Sequence, residues 1–255
     1  YSMFARSITA KTVKAKIQLV SSKGEIIASA TINTNSKVWK KYSAVLTAKE
    51  TVSDASIQII PLSLGTLHLD MISLFPQKTF KNQINGLRAD LAQAIADLHP
   101  KFVRFPGGCV AHGDGIHNIY KWKNTVGPLE SRKPMPNIWR YHQSMGLGYF
   151  EYFQFCEDID AEPLPVLAAG VPCQNSATGG AGQQGGIPMC EMDSYIQDVL
   201  DLIEWANGDA KTKWGKIRAA AGHPKPFNLK YIGIGNEDLI SDNFEERFTI
   251  IFNAI

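Results

Sequence analysis

The sequence predicts an α/β protein in two parts. Residues 1–76 read as a β-sandwich or jelly roll, and residues 77–255 as strand–helix alternation of the kind that builds a (β/α)8 barrel. Two observations carry this. Before residue 76, short alternating apolar runs follow one another between turn-like segments, with no helical periodicity. After it, three apolar strands are separated by amphipathic helices and long loops, the βαβ pattern of a parallel sheet with helices outside it.

In the first part the strands are "VKAKIQLV", "EIIASATI", "KYSAVLTA", "ASIQIIPL" and "GTLHLDMISLF", punctuated by "SSKG", "TNSK" and "KETVSD". Near-regular short strands with such turns are the signature of antiparallel sandwiches. The second part opens with "NGLRADLAQAIADLH", where Leu87, Leu91, Ile95 and Leu98 share one helical face. The strand "KFVRFP" (101–106) follows, then the helix "GLGYFEYFQFCEDIDA" and the strand "EPLPVLAAG". "MDSYIQDVLDLIEWANG" is a helix with Asp193 and Gly208 as its caps. "LKYIGIGNE" supplies the third strand and "NFEERFTIIFNAI" a last helix. Three strands do not close a barrel, so the reading is of a piece of a longer α/β protein.

Composition sets the outer limits. With 44% hydrophobic and 20% charged residues, 255 residues can bury a core without disulfide staples. A net charge of +2 offers no overall basic field for nucleic acid, so no nucleic-acid partner is expected. No apolar run approaches the roughly 20 residues of a membrane helix, so no membrane partner is expected either. No signal-peptide pattern is present, and the chain opens on Tyr1, which is read as processed or missing ends. The four cysteines contain no Cys-x-x-Cys pair, which argues against zinc. Cys173 and Cys190 flank a glycine-rich loop and are either bridged in an oxidising compartment or free. The histidines lack metal-site spacing, and no Gly-x-Ser-x-Gly elbow marks a serine nucleophile. No metal or cofactor is expected.

Chemistry concentrates where the three strands end, as it does in barrels. In "LKYIGIGNEDLI" the apolar strand stops at Asn236 and Glu237. A carboxylate there is costly to desolvate, and is either a solvated or paired side chain or a catalytic acid. An adjacent asparagine can hold a substrate hydroxyl beside it. "RFPGGC" places Arg104 at a strand end before a tight turn, as a pocket cation or as a structural arginine. Trp122, in "YKWKNTVGP", is either a sugar platform or a loop anchor. The loop "CQNSATGGAGQQGG" (173–186) is long and polar, a candidate lid or rim or a disordered stretch. His112 and His117 lie near the candidate site.

Taken together, "DMISLFPQKTF", "NGLRADLAQAIADLHPKFVRFPGGC", "YKWKNTVGPLE", "GLGYFEYFQFCEDIDAEPLPVL", "DLIEWANG" and "YIGIGNED" resemble the α-L-arabinofuranosidases of glycoside hydrolase family 51, in order and spacing from about residue 68 onward. The N-terminal strands resemble the carbohydrate-binding-module-like sandwich of some members. The resemblance implies a partial (β/α)8 TIM barrel holding about strands 2–4, and a retaining hydrolase that releases terminal α-L-arabinofuranosyl residues from arabinan or arabinoxylan. Glu237 matches the family's acid/base, and Asn236, Arg104 and Trp122 match substrate-binding positions. Cys109 and His112 also fall on substrate-binding positions; many members have Asn where Cys109 stands, whose amide hydrogen bonds a cysteine cannot donate, and others have Glu where His112 stands, so His112 makes the local charge depend on pH. The family's nucleophile is a glutamate on a later strand. None of Glu130, Glu151, Glu157, Glu162 or Glu204 matches it, so these 255 residues alone are expected to be inactive. The family's first barrel strand, with its own substrate-binding Glu, is also unmatched. An arabinose-containing polysaccharide or oligosaccharide is the expected partner, with homo-oligomers known among members and a secreted or periplasmic setting. The competing readings are a non-catalytic sugar-binding fragment and another barrel glycosidase, such as a β-xylanase or β-glucanase.

Overall fold

A computed structural model describes residues 1–8, 12–176, 183 and 185–255. The chain divides into two compact units, Tyr1–Asn85 and Gly86–Ile255. Residues 77–85, which the sequence reading gave to the second part, belong to the first.

The first unit holds six strands: β1 (Ser2–Ser7), β2 (Val13–Val20), β3 (Ile26–Thr34), β4 (Lys40–Ser43), β5 (Ser56–Pro61) and β6 (Leu67–Ser73). They form two antiparallel sheets ordered β4-β1-β6 and β3-β2-β5. Strand alternation decides which side of each sheet is buried. Met3 and Ala5 from β1 meet Ala15 and Ile17 from β2, with Ile32 from β3, in one core. Burying side chains the size of Met3 and Ile17 contributes about 1.5–3 kcal/mol each. The central strand of the first sheet, "SMFARS", has no counterpart in the sequence reading. β4 is also shorter than "KYSAVLTA" suggests, ending at Ser43.

The second unit runs α1 (Ala89–Ala96), β7 (Phe102–Phe105), α2 (Gly108–His112), a small hairpin of β8 (Met135–Pro136) and β9 (His142–Gln143), α3 (Tyr149–Asp158), β10 (Glu162–Leu167), α4 (Met192–Asn207), α5 (Lys213–Ala220), β11 (Gly233–Ile234) and α6 (Asp242–Ala254). β7, β10 and β11 make a parallel sheet with β10 in the middle. Phe105, Tyr149, Phe153, Trp205 and Phe227 pack into the core over it. β11 is two residues long because the approach to it bonds elsewhere: the Asn207 side chain donates to Leu229 O and accepts from Leu229 N. That amide ties 229 to the end of α4 and takes its backbone out of the ladder.

Three further details depart from the sequence reading. The N-cap of α4 is Glu191, and Asp193 lies in the first turn. α5 has no counterpart in the sequence reading; Thr212 caps it, accepting from Gly215 N, and buried Arg218 donates to the carbonyls of Trp205 and Gly208. The apolar stripe of α1 is real but uncovered, with Leu91 56% and Ile95 45% exposed.

Candidate active site

The C-terminal ends of the three parallel strands bring Arg104, Gly108, Asn236 and Glu237 together. Past β11, Gly235 donates its N–H to Leu167 O, holding the strand end against β10 (2.7 Å). Gly235 takes φ +86°, and a Cβ there would fall 2.1 Å from Asp238 Oδ2, so only glycine fits. Glu237 itself sits at φ +51°, a left-handed conformation that non-glycine residues hold only where their surroundings fix them.

Those surroundings are polar. Arg104 Nη2 donates to Asn236 Oδ1 at 2.5 Å. Asn236 Nδ2 and Gln174 Nε2 both donate to Glu237 Oε2, at 3.3 and 3.1 Å. Gly108 packs directly beneath Asn236; a Cβ on it would lie 2.0 Å from Asn236 Cγ. The Asn236 N–H points at His112 Nε2 (2.9 Å) and Asp238 Oδ2 (2.8 Å). His112 is fully buried, donates from Nδ1 to Val171 O at 2.7 Å and places Nε2 3.2 Å from Asp238 Oδ1. Buried Gln183 completes the cage, donating to Asp238 and to Pro172 O and accepting from Leu239 N.

The arrangement leaves Glu237 exposed, with Oε2 held by two amides and Oε1 without a protein partner among the described residues. The burial expected of a strand-end carboxylate is therefore not present in this chain. A carboxyl group fixed through one oxygen and open at the other can deliver or remove a proton at a bound molecule.

The other sequence candidates fall differently. His112 supports the Asn236 backbone from beneath and has no exposed surface, so it shapes the site without facing it. Cys109 is half-buried. Burial pushes the Cys173 thiol up to about 11, with smaller contributions from the neighbouring Cys109 thiol and the Glu237 carboxylate. All four cysteines are free, and Cys190 is exposed, so the suggested Cys173–Cys190 bridge is absent. Trp122 is 3% exposed, donates Nε1–H to Asp198 O and packs against Tyr149, Trp205 and Trp214. It edges a cavity of about 540 Å3 with Tyr120, Leu167 and Tyr195, and none of Arg104, Asn236 and Glu237 lines that cavity. Its described contacts are those of a packed ring. Much of the 173–186 loop lies outside the described residues, but its ends are clasped: Ile187 N donates to Gly170 O, and Arg247 from α6 donates to Ile187 O. Gln174, Gln183 and Asp238 were not anticipated; Asp238 adjoins Glu237 in "GNED", whereas the glutamines carried no local signal.

The family model described as the alpha-L-arabinofuranosidase 1 domain matches residues 94–255, well over half the chain. The chain belongs to this family. The extracellular exo-alpha-L-arabinofuranosidase of Streptomyces chartreusis is 46% identical over 222 residues, covering 82% of this chain and 26% of that protein. Alpha-L-arabinofuranosidase 1 of Arabidopsis thaliana is 36% identical over 251 residues, covering 95% of this chain and 35% of that one. Among solved structures, an arabinose-bound family 51 α-L-arabinofuranosidase superposes with a TM-score of 0.85 at 32% identity, covering 99% of this chain and 41% of that one. This arabinofuranosidase-family chain thus spans about a quarter to a third of the length of the curated relatives it matches.

Proposed function

We propose that the gene product carrying these residues is a retaining glycoside hydrolase that releases terminal α-L-arabinofuranosyl residues from arabinan- or arabinoxylan-type chains. The observation that carries the reading is the Arg104–Asn236–Glu237 constellation at the C-terminal ends of β7 and β11, in a chain of the arabinofuranosidase family. Glu237 is the acid/base: it protonates the departing glycosidic oxygen and then takes a proton from the water that resolves the glycosyl-enzyme. Asn236, its amide oxygen held by Arg104, binds the sugar hydroxyl beside the anomeric carbon, with Cys109 at the pocket edge. The parallel sheet is part of a (β/α)8 barrel, and the first unit is a jelly-roll-like, carbohydrate-binding-module-like sandwich. No metal or cofactor enters this scheme. The setting is secreted or periplasmic, in keeping with the name of the Streptomyces relative.

Retention needs a second carboxylate about 5 Å from the first. The carboxylate next to Glu237 in sequence, that of Asp238, is tied to His112 and Gln183. The 255 residues by themselves are accordingly proposed to turn over poorly. The deciding experiment measures aryl α-L-arabinofuranoside hydrolysis by the whole gene product beside its Glu237→Ala variant. Activity in the first, and a slow second that azide restores, is the expected result. An unreactive wild type, or a variant as fast as wild type, overturns the reading and favours a sugar-binding role; an aryl β-xyloside or β-glucoside turned over in its place points to another barrel glycosidase.

A further inference from the structure

The net charge of +2 conceals a strong division. Residues 1–85 carry eleven lysines and arginines against four acidic residues, a net +7, while residues 86–255 carry fifteen against twenty, a net −5. The basic unit also sets an aromatic side chain beside the outward face of a sheet. On β1, Met3 and Ala5 point into the core, so Phe4 and Arg6 point out. The register places Lys41 and Asp70 on either side of Phe4, and His68 opposite Arg6. Trp39, immediately before β4, is 42% exposed and lies under the Arg6 guanidinium, whose Cζ is 5.0 Å from the ring centroid. Arg6 Nε donates to His68 Nδ1 at 3.3 Å, and the Trp39 and His68 rings are 6.5 Å apart.

This arrangement holds an arginine still without neutralising it. Stacking and one hydrogen bond fix the guanidinium, and among the described residues neither of its terminal nitrogens has a partner. Nor, among the described residues, does Lys41, which shares this face opposite Phe4, make an ion pair. An arginine fork kept free and preorganised is suited to bidentate capture of a carboxylate. An indole beside it is suited to the C–H face of a sugar ring. We propose that the β4-β1-β6 face of the first unit binds an anionic, uronate-bearing polysaccharide, with Trp39 as the ring platform, Arg6 as the carboxylate clamp, and Lys41, opposite Phe4 on the same face, drawing in the rest of the polyanion.

The choice of a polysaccharide over other polyanions rests on the carbohydrate-active family of the second unit; the charge and geometry of the face do not. Binding here requires no hydrolysis, so a failure of the Glu237 reading leaves the test below unaffected. The 255-residue chain is titrated calorimetrically at low salt with polygalacturonate, with its methyl-esterified form, and with double-stranded DNA. Polygalacturonate is expected to bind, about tenfold or more tighter than the esterified polymer and than DNA, and to weaken as salt rises. Arg6→Gln and Trp39→Ala should each weaken it about tenfold, while Trp39→Phe stays within about threefold because a ring remains. Lys23→Gln, which removes one positive charge from the exposed β2–β3 turn, should change nothing. Circular dichroism confirms that each variant is folded. No binding of polygalacturonate, equal binding of the esterified polymer, or a Lys23→Gln effect as large as that of Arg6→Gln overturns the proposal. DNA bound as tightly as polygalacturonate overturns it in favour of a general polyanion surface.

Discussion

The two units use charge in opposite ways. In the second, cations are spent on structure: Arg132 makes a two-pronged ion pair with Glu151, Lys123 bridges Asp198 and Asp201, and Arg218 and Arg247 are buried donors to carbonyls. In the first, Arg6, Lys40 and Lys41 have no carboxylate partner among the described residues. Their cores differ as well. Small and aliphatic side chains fill the space between two facing sheets, whereas rings fill the space over the parallel sheet. Long loops that carry polar chemistry need rigid anchors, and aromatic rings and buried arginines are such anchors. A sheet face held up by its own ladder needs none, which leaves its charges available to a partner.

The sharpest way to test that division is Glu237→Ala in the whole gene product. Turnover should fall by about 10^2–10^4-fold, with polygalacturonate binding to the first unit unchanged; a loss of both would show that the units do not act separately. Next in size is Trp122→Ala. Removing a ring that is 3% exposed should cost about 3–5 kcal/mol of second-unit stability in denaturant unfolding. A change confined to sugar affinity would restore Trp122 as a platform.

His112→Phe should have a smaller effect. It strips Asn236 N–H, Asp238 and Val171 O of a buried partner, at about 1–3 kcal/mol. Hydrogen exchange at residues 235–238 should accelerate while the first unit stays protected, and unchanged protection there would rule out the supporting role. The smallest effect concerns acid. Burial pushes the Asp201 carboxyl up, but hydrogen bonds from Lys123 and Gln197 outweigh it and hold the group below the usual carboxylate range. With its folded value depressed, its stabilisation is present above about pH 4, the unfolded value, and is lost as pH falls through the folded one. Lys123→Met should therefore remove on the order of 1 kcal/mol at neutral pH and flatten the acid dependence of the second unit. A profile as steep as wild type would show that the pair is not its source.

Where periodicity was strong, the sequence was informative: β2, β3, α3, α4 and the parallel order of β7, β10 and β11 follow from patterns of two and of three to four. β1 escaped because it is short and its inward positions are Met3 and Ala5, weak markers of a strand. α5 escaped because Gly215 interrupts it and its anchor is an arginine rather than an apolar stripe. Leu229 and Tyr231 looked like strand residues, yet the Asn207 amide competes for that backbone, a contact between positions 22 apart that no local window contains. That Arg104, Asn236 and Glu237 would come together was legible because strand ends mark them. Gln174 and Gln183 were not, since a glutamine in a polar loop acquires meaning only from what the fold sets beside it.

The clasp on the loop between Gly170 and Ile187 has a further consequence. Gln183 fastens to Pro172 O and Asp238, and Arg247 fastens Ile187, so the described residues of this loop are tied to the framework on which it is mounted. Closing a flexible segment twice as long costs only about 0.6 kcal/mol more. Gln174, at the start of this loop, donates to Glu237 Oε2, so a longer loop is cheap for the fold and makes a natural graft for altering what the candidate site admits.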